Sequence, residues 1–354
     1  MSSQWLFSVD DLRNTPTALE RSLEDEMYDR ARGIEFLFRL GGSIGLHIPG
    51  IFTAATWFHR FFMRYSMEDY HRQDVAASCI FLATKTEECG RKLRDVARVY
   101  CAKVANTNVR DVPEAGQRID DAAHAILQTE EVLLEALCFD FVVDSPHADL
   151  VDLFEAQESD PTIEDYAWSI AHDSYRTPLC VLYPPKVIAS ACYILAQHIA
   201  DGPHSLSLEA RTSLSPPSAS LPTPPTHKPA SPDRTRFAIE FFGLSQEELV
   251  CVRDSLTILL EFYRFQDAQH LVDHLGKLAS VVSPVVSALP FSLYRLPNAA
   301  NATLNEAQIH HPTAELDVNG RTPDSTRGGS TPAKALSHAT AEDRTAEEQR
   351  QTDS

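Results

Sequence analysis

The sequence lacks the CxxC and HExxH motifs that often mark metal sites. Its seven cysteines form no CxxC pair, and no HExxH motif occurs. Their number is odd, and several stand in apolar stretches, where a cysteine behaves as a small hydrophobic residue. We therefore expect reduced thiols in an intracellular protein, with no disulfide framework, no metal site, no cofactor and no catalytic residue.

Positive charge is also scarce. Lys and Arg number 31 against 50 Asp and Glu, which gives a formal net charge of −19. A protein that binds nucleic acid through its phosphates needs a basic surface, so direct nucleic-acid binding is not expected. No apolar run approaches the ~20 residues that a membrane-spanning helix needs. The first residues also lack the apolar core of a signal peptide, and no membrane association is expected.

Aromatic residues are missing from two long segments. Residues 201–233 contain eight of the 22 prolines and seven serines, and residues 295–354 contain no Phe, Trp or Tyr. Such segments bury too little apolar surface to offset the entropy of ordering. We predict a disordered Pro/Ser-rich insert at 201–233 and a mostly disordered C-terminal tail.

The remaining sequence has helical periodicity, and no segment supports a strand equally well. The fold class is therefore predicted to be all-α. The predicted helices cover residues 30–45, 51–65, 74–88, 92–104, 117–138, 146–157, 162–175, 186–200, 236–242 and 245–266.

A faint repeat relates two of these helices. Shifting the chain by 113 residues superimposes VAASCIFLATK at 75–85 on IASACYILAQH at 188–198. Both stretches are apolar almost all round, as expected of a helix inside a bundle. Either two buried helices look alike by chance, or the chain contains two copies of one bundle, each built around a central helix.

Charges break the apolar pattern at two places. Glu130 falls in the centre of the apolar stripe of helix 117–138, where a carboxylate needs a partner. On helix 74–88, Phe81, Lys85 and Glu88 share one face. Lys85 could simply complement the helix dipole, and Glu130 could form an internal salt bridge. Alternatively, the two lie together on the surface and offer one donor and one acceptor to another protein's backbone.

Several segments, in order, resemble the cyclin family, and within it the transcriptional cyclins of the K and T type. WFHRFFM at 57–63, CIFLATKTEE at 79–88 and KLRDV at 92–96 are similar to the first cyclin box. EEVLLEALCFD at 130–140 resembles the end of the fifth helix of that box. Trp5 resembles a position in the N-terminal segment of the group.

The resemblance implies two tandem five-helix cyclin boxes. The expected organisation is an N-terminal extension at 1–24, a first box at 25–143, a second box at 144–270 interrupted by the insert, and a tail at 271–354. The sequence departs from the group at Cys89-Gly90-Arg91, where a proline followed by two lysines is usual. The position of the insert suits a fungal, cyclin-like subunit of the kinase that phosphorylates the RNA polymerase II C-terminal repeat.

The resemblance also implies function. A cyclin binds a cyclin-dependent kinase and activates it allosterically, so this chain would be a non-catalytic regulatory subunit. Lys85 and Glu130 match the box's Lys–Glu pair, which hydrogen-bonds main-chain groups around the kinase αC helix; Phe81, Glu88 and Phe139 match further kinase-facing positions. The expected partners are the kinase and possibly a third subunit, the substrate of the complex is the polymerase repeat, and the location is nuclear.

Three alternatives remain open. The partner kinase could instead be that of a T-, L- or C-type cyclin. The chain could be a cyclin-fold general transcription factor, although those carry a zinc ribbon and basic faces. It could also be an unrelated enzyme or helical scaffold that mimics these segments.

Overall fold

The computed structural model describes residues 4–157, 160–202, 207–212, 232–266 and 289–294. Within these ranges all regular structure is helical, with thirteen α-helices and two short 3-10 helices, at Val9–Asn14 and Val109–Asp111. The predicted all-α class is therefore confirmed. None of the described helices is long and apolar enough to cross a membrane.

The first bundle is built from five helices. They are α2 (Leu23–Ile44), α3 (Ile48–Phe61), α4 (Arg72–Thr86), α5 (Leu93–Val104) and α6 (Gln117–Ala136); the one-turn helix α1 (Pro16–Glu20) precedes them. Helix α4 packs against each of the other four. Its side chains from Val75 to Thr84 are all buried, which explains why its sequence is apolar almost all round.

The second bundle repeats this plan around α10 (Pro185–Asp201). This helix packs against α7 (Pro146–Ala156), α8 (Pro161–Ser174), α12 (Pro232–Phe241) and α13 (Gln246–Phe265). Two one-turn helices, α9 (Leu179–Leu182) and α11 (Leu208–Arg211), also contact α10. The faint repeat thus relates the two central helices α4 and α10, as one of its two interpretations predicted.

The two bundles meet along an aromatic seam. The ring of Phe52 on α3 stacks on Tyr175, at 4.7 Å between centroids, and on His147, at 4.2 Å. His59, also on α3, places Nε2 2.8 Å from the carbonyl oxygen of Tyr175. Because Tyr175 belongs to the apolar core of the first bundle although it follows α8, the seam joins the two cores.

The insert at 201–233 is only partly described, and there the prediction of disorder is wrong. Residues 207–212 contain α11, and Leu208, Arg211 and Thr212 are buried. Arg211 donates hydrogen bonds to Thr235 and Asp201, so its charge is held by the second bundle. These contacts and the burial of Leu208 attach the short segment to the second bundle. Residues 203–206, 213–231, 271–288 and 295–354 lie outside the described residues, as do the predictions of disorder for them. Residues 289–294 of the predicted tail are described, and Leu293 and Tyr294 are buried.

Candidate functional site

Helices α4 and α6 place their C-terminal ends at the same end of the first bundle. Ser78 Oγ of α4 donates a hydrogen bond to the carbonyl oxygen of Ile126 on α6, at 2.9 Å. Further along both helices, Lys85 Nζ lies 2.7 Å from Glu130 Oε1. Since residue numbers rise in the same direction along both helices, the chain leaves α4 and α6 on one side of the bundle.

Lys85 and Glu130 form an ion pair at this end. Lys85 Nζ contacts both carboxylate oxygens, at 2.7 and 2.8 Å. The side chain of Lys85 is 47% exposed, whereas that of Glu130 is only 7% exposed. The ammonium also lies 4.1 Å from the centroid of the buried Phe81 ring, in cation–π contact. The pair therefore consists of an inner carboxylate and an outer, accessible cation.

The internal salt bridge that was one interpretation of Glu130 is present, and its cation is Lys85. Glu130 lies in the apolar stripe and is neutralised by an internal salt bridge, yet the same bridge reaches the surface through Lys85. Each carboxylate oxygen can accept a further hydrogen bond, and the ammonium has three donors. Leu127 on the same helix is 44% exposed, although it is apolar.

Glu88 is not on the α4 face to which the periodicity assigned it. Helix α4 ends at Thr86, and Glu88 lies beyond it with a φ of +53°. Its backbone N–H donates to the carbonyl of Lys85, which closes a turn after the helix. The i+7 relation with Phe81 therefore fails because the helix stops two residues too early. Glu88 is exposed next to the pair in sequence, but no described contact joins its side chain to Lys85 or Glu130.

Phe139 follows the end of α6 and is 64% exposed. Cys138 and Phe139 both adopt positive φ values, +52° and +56°, which non-glycine residues rarely do. The N–H of Phe139 donates to the carbonyl of Leu134 and so caps the helix. This left-handed turn reverses the chain and exposes the phenyl ring on the side where α4 and α6 end. No described contact links Phe139 to Lys85.

The turn that carries Phe139 is fixed by the N-terminal extension. Trp5 is buried, and its Nε1 donates to Asp140 Oδ2 at 2.8 Å. Hydrogen bonds from Trp5 and Gln4 hold the pKa of Asp140 below its ordinary value. The Trp5 ring also lies 4.8 Å from the guanidinium of Arg60 and 5.0 Å from that of Arg64.

Arg60 and Arg64 complete this support, which the sequence patterns did not reveal. Arg60 Nη1 donates to the carbonyl of Val142 at 3.2 Å, and Arg64 Nη1 lies 3.1 Å from Cys138 Sγ. Arg64 thus contacts the residue before Phe139, and Arg60 contacts a residue after it. Trp5, close to the start of the chain, was the sequence signal for this support. Its partners Arg60 and Asp140 lie 55 and 135 residues further along the chain.

Residues 41–45 (GGSIG) have the GxSxG spacing of a hydrolase nucleophile. They form the last turn of α2 and its cap, with Gly45 in the left-handed conformation at a φ of +71°. A nucleophile elbow joins a strand to a helix, which this stretch does not do. It is therefore a helix terminus. Among the described residues, no group of three His, Cys, Asp or Glu is arranged to hold a metal ion.

Comparison with known proteins identifies the first bundle. Residues 9–142 match the family model described as the cyclin N-terminal domain. The first bundle is therefore similar to a cyclin N-terminal domain. Its match ends two residues after Asp140, so it includes Lys85, Glu130 and the turn at Phe139.

The relatives of this chain include cyclins of the K and T types, as the sequence resemblance predicted. Cyclin pch1 of Schizosaccharomyces pombe is 43% identical over 199 residues, which cover 55% of this chain and 58% of the relative. Human cyclin-K is 32% identical over 197 residues, covering 54% of this chain and 33% of the relative. The matched part of this chain thus spans less than two thirds of the length of either relative.

The fold of this chain also occurs in a solved structure. One chain of the crystal structure of the yeast RNA Pol II CTD kinase CTDK-1 complex aligns with a TM-score of 0.56 and 18% identity. The alignment covers 86% of this chain and 89% of that one, so it extends through both helical bundles. At this identity the likeness shows a shared fold.

Proposed function

We propose that this protein is a cyclin, the regulatory subunit of a cyclin-dependent kinase that acts in transcription. It binds the kinase at the end of the first bundle where α4 and α6 terminate. The observation that carries the proposal is the Lys85–Glu130 ion pair, whose lysine side chain is 47% exposed at that end. The match to the cyclin N-terminal domain and the kinship with cyclins K and T support the same conclusion.

The geometry suits recognition of a helix and its flanking backbone. Lys85 offers an ammonium to a carbonyl, and Glu130 offers a carboxylate to N–H groups. Beside them Phe139 provides an exposed aromatic surface on a turn that the N-terminal segment holds in place. Exposed aromatic residues next to polar anchors are typical of binding hot spots.

Activation follows from preferential binding. A cyclin that binds the active position of the kinase αC helix more tightly than the inactive one shifts the population by that difference in free energy. With αC in place, its glutamate pairs with the phosphate-binding lysine of the kinase. This chain contributes positioning surface and no catalytic group.

The finer features of the proposal follow the kinship with K- and T-type cyclins. The C-terminal repeat of RNA polymerase II is the substrate of the complex, and the location is nuclear. A third subunit could complete the complex, as the sequence resemblance implies.

The test is reconstitution with purified transcriptional cyclin-dependent kinases. The decisive variant exchanges the charges, Lys85→Glu with Glu130→Lys. It keeps an internal ion pair, and therefore the bundle, but it reverses donor and acceptor toward a partner. We expect the wild type to bind one kinase and stimulate phosphorylation of repeat peptides, and the exchange to weaken binding at least tenfold, about 1.4 kcal/mol.

A second pair on the same bundle provides the control. Arg94 on α5 and Asp120 on α6 form an exposed ion pair at 2.9 Å. The exchange Arg94→Asp with Asp120→Arg should leave kinase binding unchanged. If exchange of the Lys85–Glu130 pair also left binding unchanged, the site assignment would be wrong. If the folded wild type bound none of the kinases, the proposed function would be wrong.

A further inference from the structure

A thiol, an imidazole and a carboxylate form a chain of hydrogen bonds on the surface near the end of α4. Cys89 Sγ lies 2.9 Å from His47 Nδ1, and Glu87 Oε2 lies 3.0 Å from His47 Nε2. The three residues come from two segments, the N-terminal cap of α3 and the turn after α4. His47 is 42% exposed, so small molecules can reach this group.

The carboxylate determines how the imidazole is used. Glu87 accepts a hydrogen bond from Nε2–H of His47, and this leaves the lone pair of Nδ1 directed at the thiol. The S–H of Cys89 therefore donates to Nδ1. This order of nucleophile, base and orienting acid is the one by which proteins activate a cysteine. His47 also stands at the N-terminus of α3, where the helix dipole favours a negative sulfur.

The turn that carries Cys89 is fixed at its other end. Arg91 Nε donates to the carbonyl of Ile44 at 2.8 Å, and Nη2 donates to that of Gly45 at 3.1 Å. Both acceptors lie at the end of α2, just before His47. The two segments are thus joined by Arg91 on one side and by the His47 contacts on the other, which holds the thiol against the imidazole without a conformational change.

The other cysteines lack this arrangement. Cys79, Cys101 and Cys192 are buried, and burial raises the pKa of the Cys180 thiol to about 12. Cys138 is exposed, but its described partner is the guanidinium of Arg64, which cannot accept a proton. Among the described contacts, Cys89 is the cysteine that faces a base.

We propose that Cys89 is a site of reversible oxidation by hydroperoxides, activated by His47 and oriented through Glu87. The thiol proton moves to His47 Nδ1 as the sulfur attacks one peroxide oxygen. The O–O bond breaks, and the leaving oxygen takes up the proton as water, or as an alcohol from an organic peroxide. Sulfur loses two electrons, the peroxide gains them, and a sulfenic acid remains on Cys89.

The consequence of oxidation rests on the proposed function. Cys89 follows the exposed Glu88 and comes four residues after Lys85, next to the surface assigned to the kinase. Condensation of the sulfenic acid with glutathione releases water and adds an anionic tripeptide through a disulfide. Such a group beside Lys85 would hinder a partner, so oxidation would weaken kinase binding.

The experiment on the site uses the full chain without kinase. Hydrogen peroxide is added in slight excess with a 1,3-dione that traps sulfenic acid, and peptide mass spectrometry follows each cysteine over time. We expect Cys89 to be trapped at least tenfold faster than Cys138, the exposed control cysteine. His47→Gln should slow the trapping of Cys89 at least tenfold at pH 7. Glu87→Gln should have a smaller effect.

Two results would overturn the proposed site. One is trapping of Cys89 no faster than Cys138, and the other is an unchanged Cys89 rate in His47→Gln. The consequence is tested separately, by kinase binding before and after glutathionylation of wild type and of Cys89→Ser. A loss of binding confined to the wild type supports it. Equal binding in both forms refutes the coupling to the interface, whereas the absence of kinase binding before oxidation refutes the proposed function.

Discussion

The two bundles share one plan, but the C-terminal ends of their central helices differ. At the end of α4, Lys85 is half exposed and bound to a single carboxylate. At the end of α10, the charge is instead supplied by Arg211 of α11, whose side chain is fully buried. Arg211 contacts Gln197, Asp201 and Thr235, which surround the last turns of α10.

The two helix ends differ in whether the cation is buried within the chain or exposed to solvent. In the second bundle a following turn covers the helix end, and its cation is directed at acceptors of the same chain. In the first bundle the chain turns away after Thr86, and the cation keeps exposed surface. One architecture thus produces a closed end and an open end, and the open end can serve a partner.

The largest expected effect on stability comes from removing the buried cation at the end of α10. Arg211→Ala leaves Asp201 and Gln197 without their cation, and loss of one partner of a buried ion pair costs about 3 kcal/mol. Urea unfolding of wild type and variant measures this loss in the free energy of unfolding. Arg211→Met, which keeps much of the volume, separates packing from charge. A loss below about 1 kcal/mol for Arg211→Ala would mean that the second bundle does not depend on this cap.

The second effect concerns the seam that both bundles share. Burial lowers the pKa of His147 and of His172 to about 4 and that of His59 to about 3. The unfolded chain takes up protons below about pH 6.5, before the folded chain does, so stability falls as the pH drops from there toward 4. At pH 5 each histidine is expected to cost about 2 kcal/mol relative to pH 7.

The pH dependence is tested with matched histidine variants. His147→Gln should reduce the loss of stability between pH 7 and 5, whereas His124→Gln, at an exposed position of α6, should not. Asp149 opposes the trend, because burial raises its pKa to about 6 and the folded state gains stability as this carboxyl protonates. Identical pH curves for His147→Gln and wild type would place the sensitivity elsewhere.

The smallest effect on stability is expected at the open end. Lys85→Ala removes a half-exposed cation but leaves the 7%-exposed carboxylate of Glu130 without its partner, so the free energy of unfolding should fall by about 1 kcal/mol, less than for Arg211→Ala. Kinase binding should fall at least tenfold under the proposed function. If Lys85→Ala destabilised the chain as much as Arg211→Ala, the two ends would be equivalent and the comparison would fail.

Sequence patterns located the helices well because each buries a periodic stripe. The ten predicted helices correspond to α2–α8, α10, α12 and α13, and Glu130 lies where its stripe position indicated. The patterns failed at helix ends and short turns. Glu88 left the helical face, and α11 formed inside a segment whose composition predicted disorder. The composition of the segment does not show that Arg211 donates a hydrogen bond to Asp201, because that contact depends on how α11 packs against α10.

The sequence by itself determined the helical class, the two central helices and the residues of the candidate site. These depend on periodicity and on short segments, which act over one or two helical turns. Only the tertiary structure decided that Lys85 meets Glu130, that Trp5 holds the turn of Phe139, and that His47 meets Cys89. Each of these contacts joins residues 42 to 135 positions apart, and a distance of that kind is set by how the helices pack.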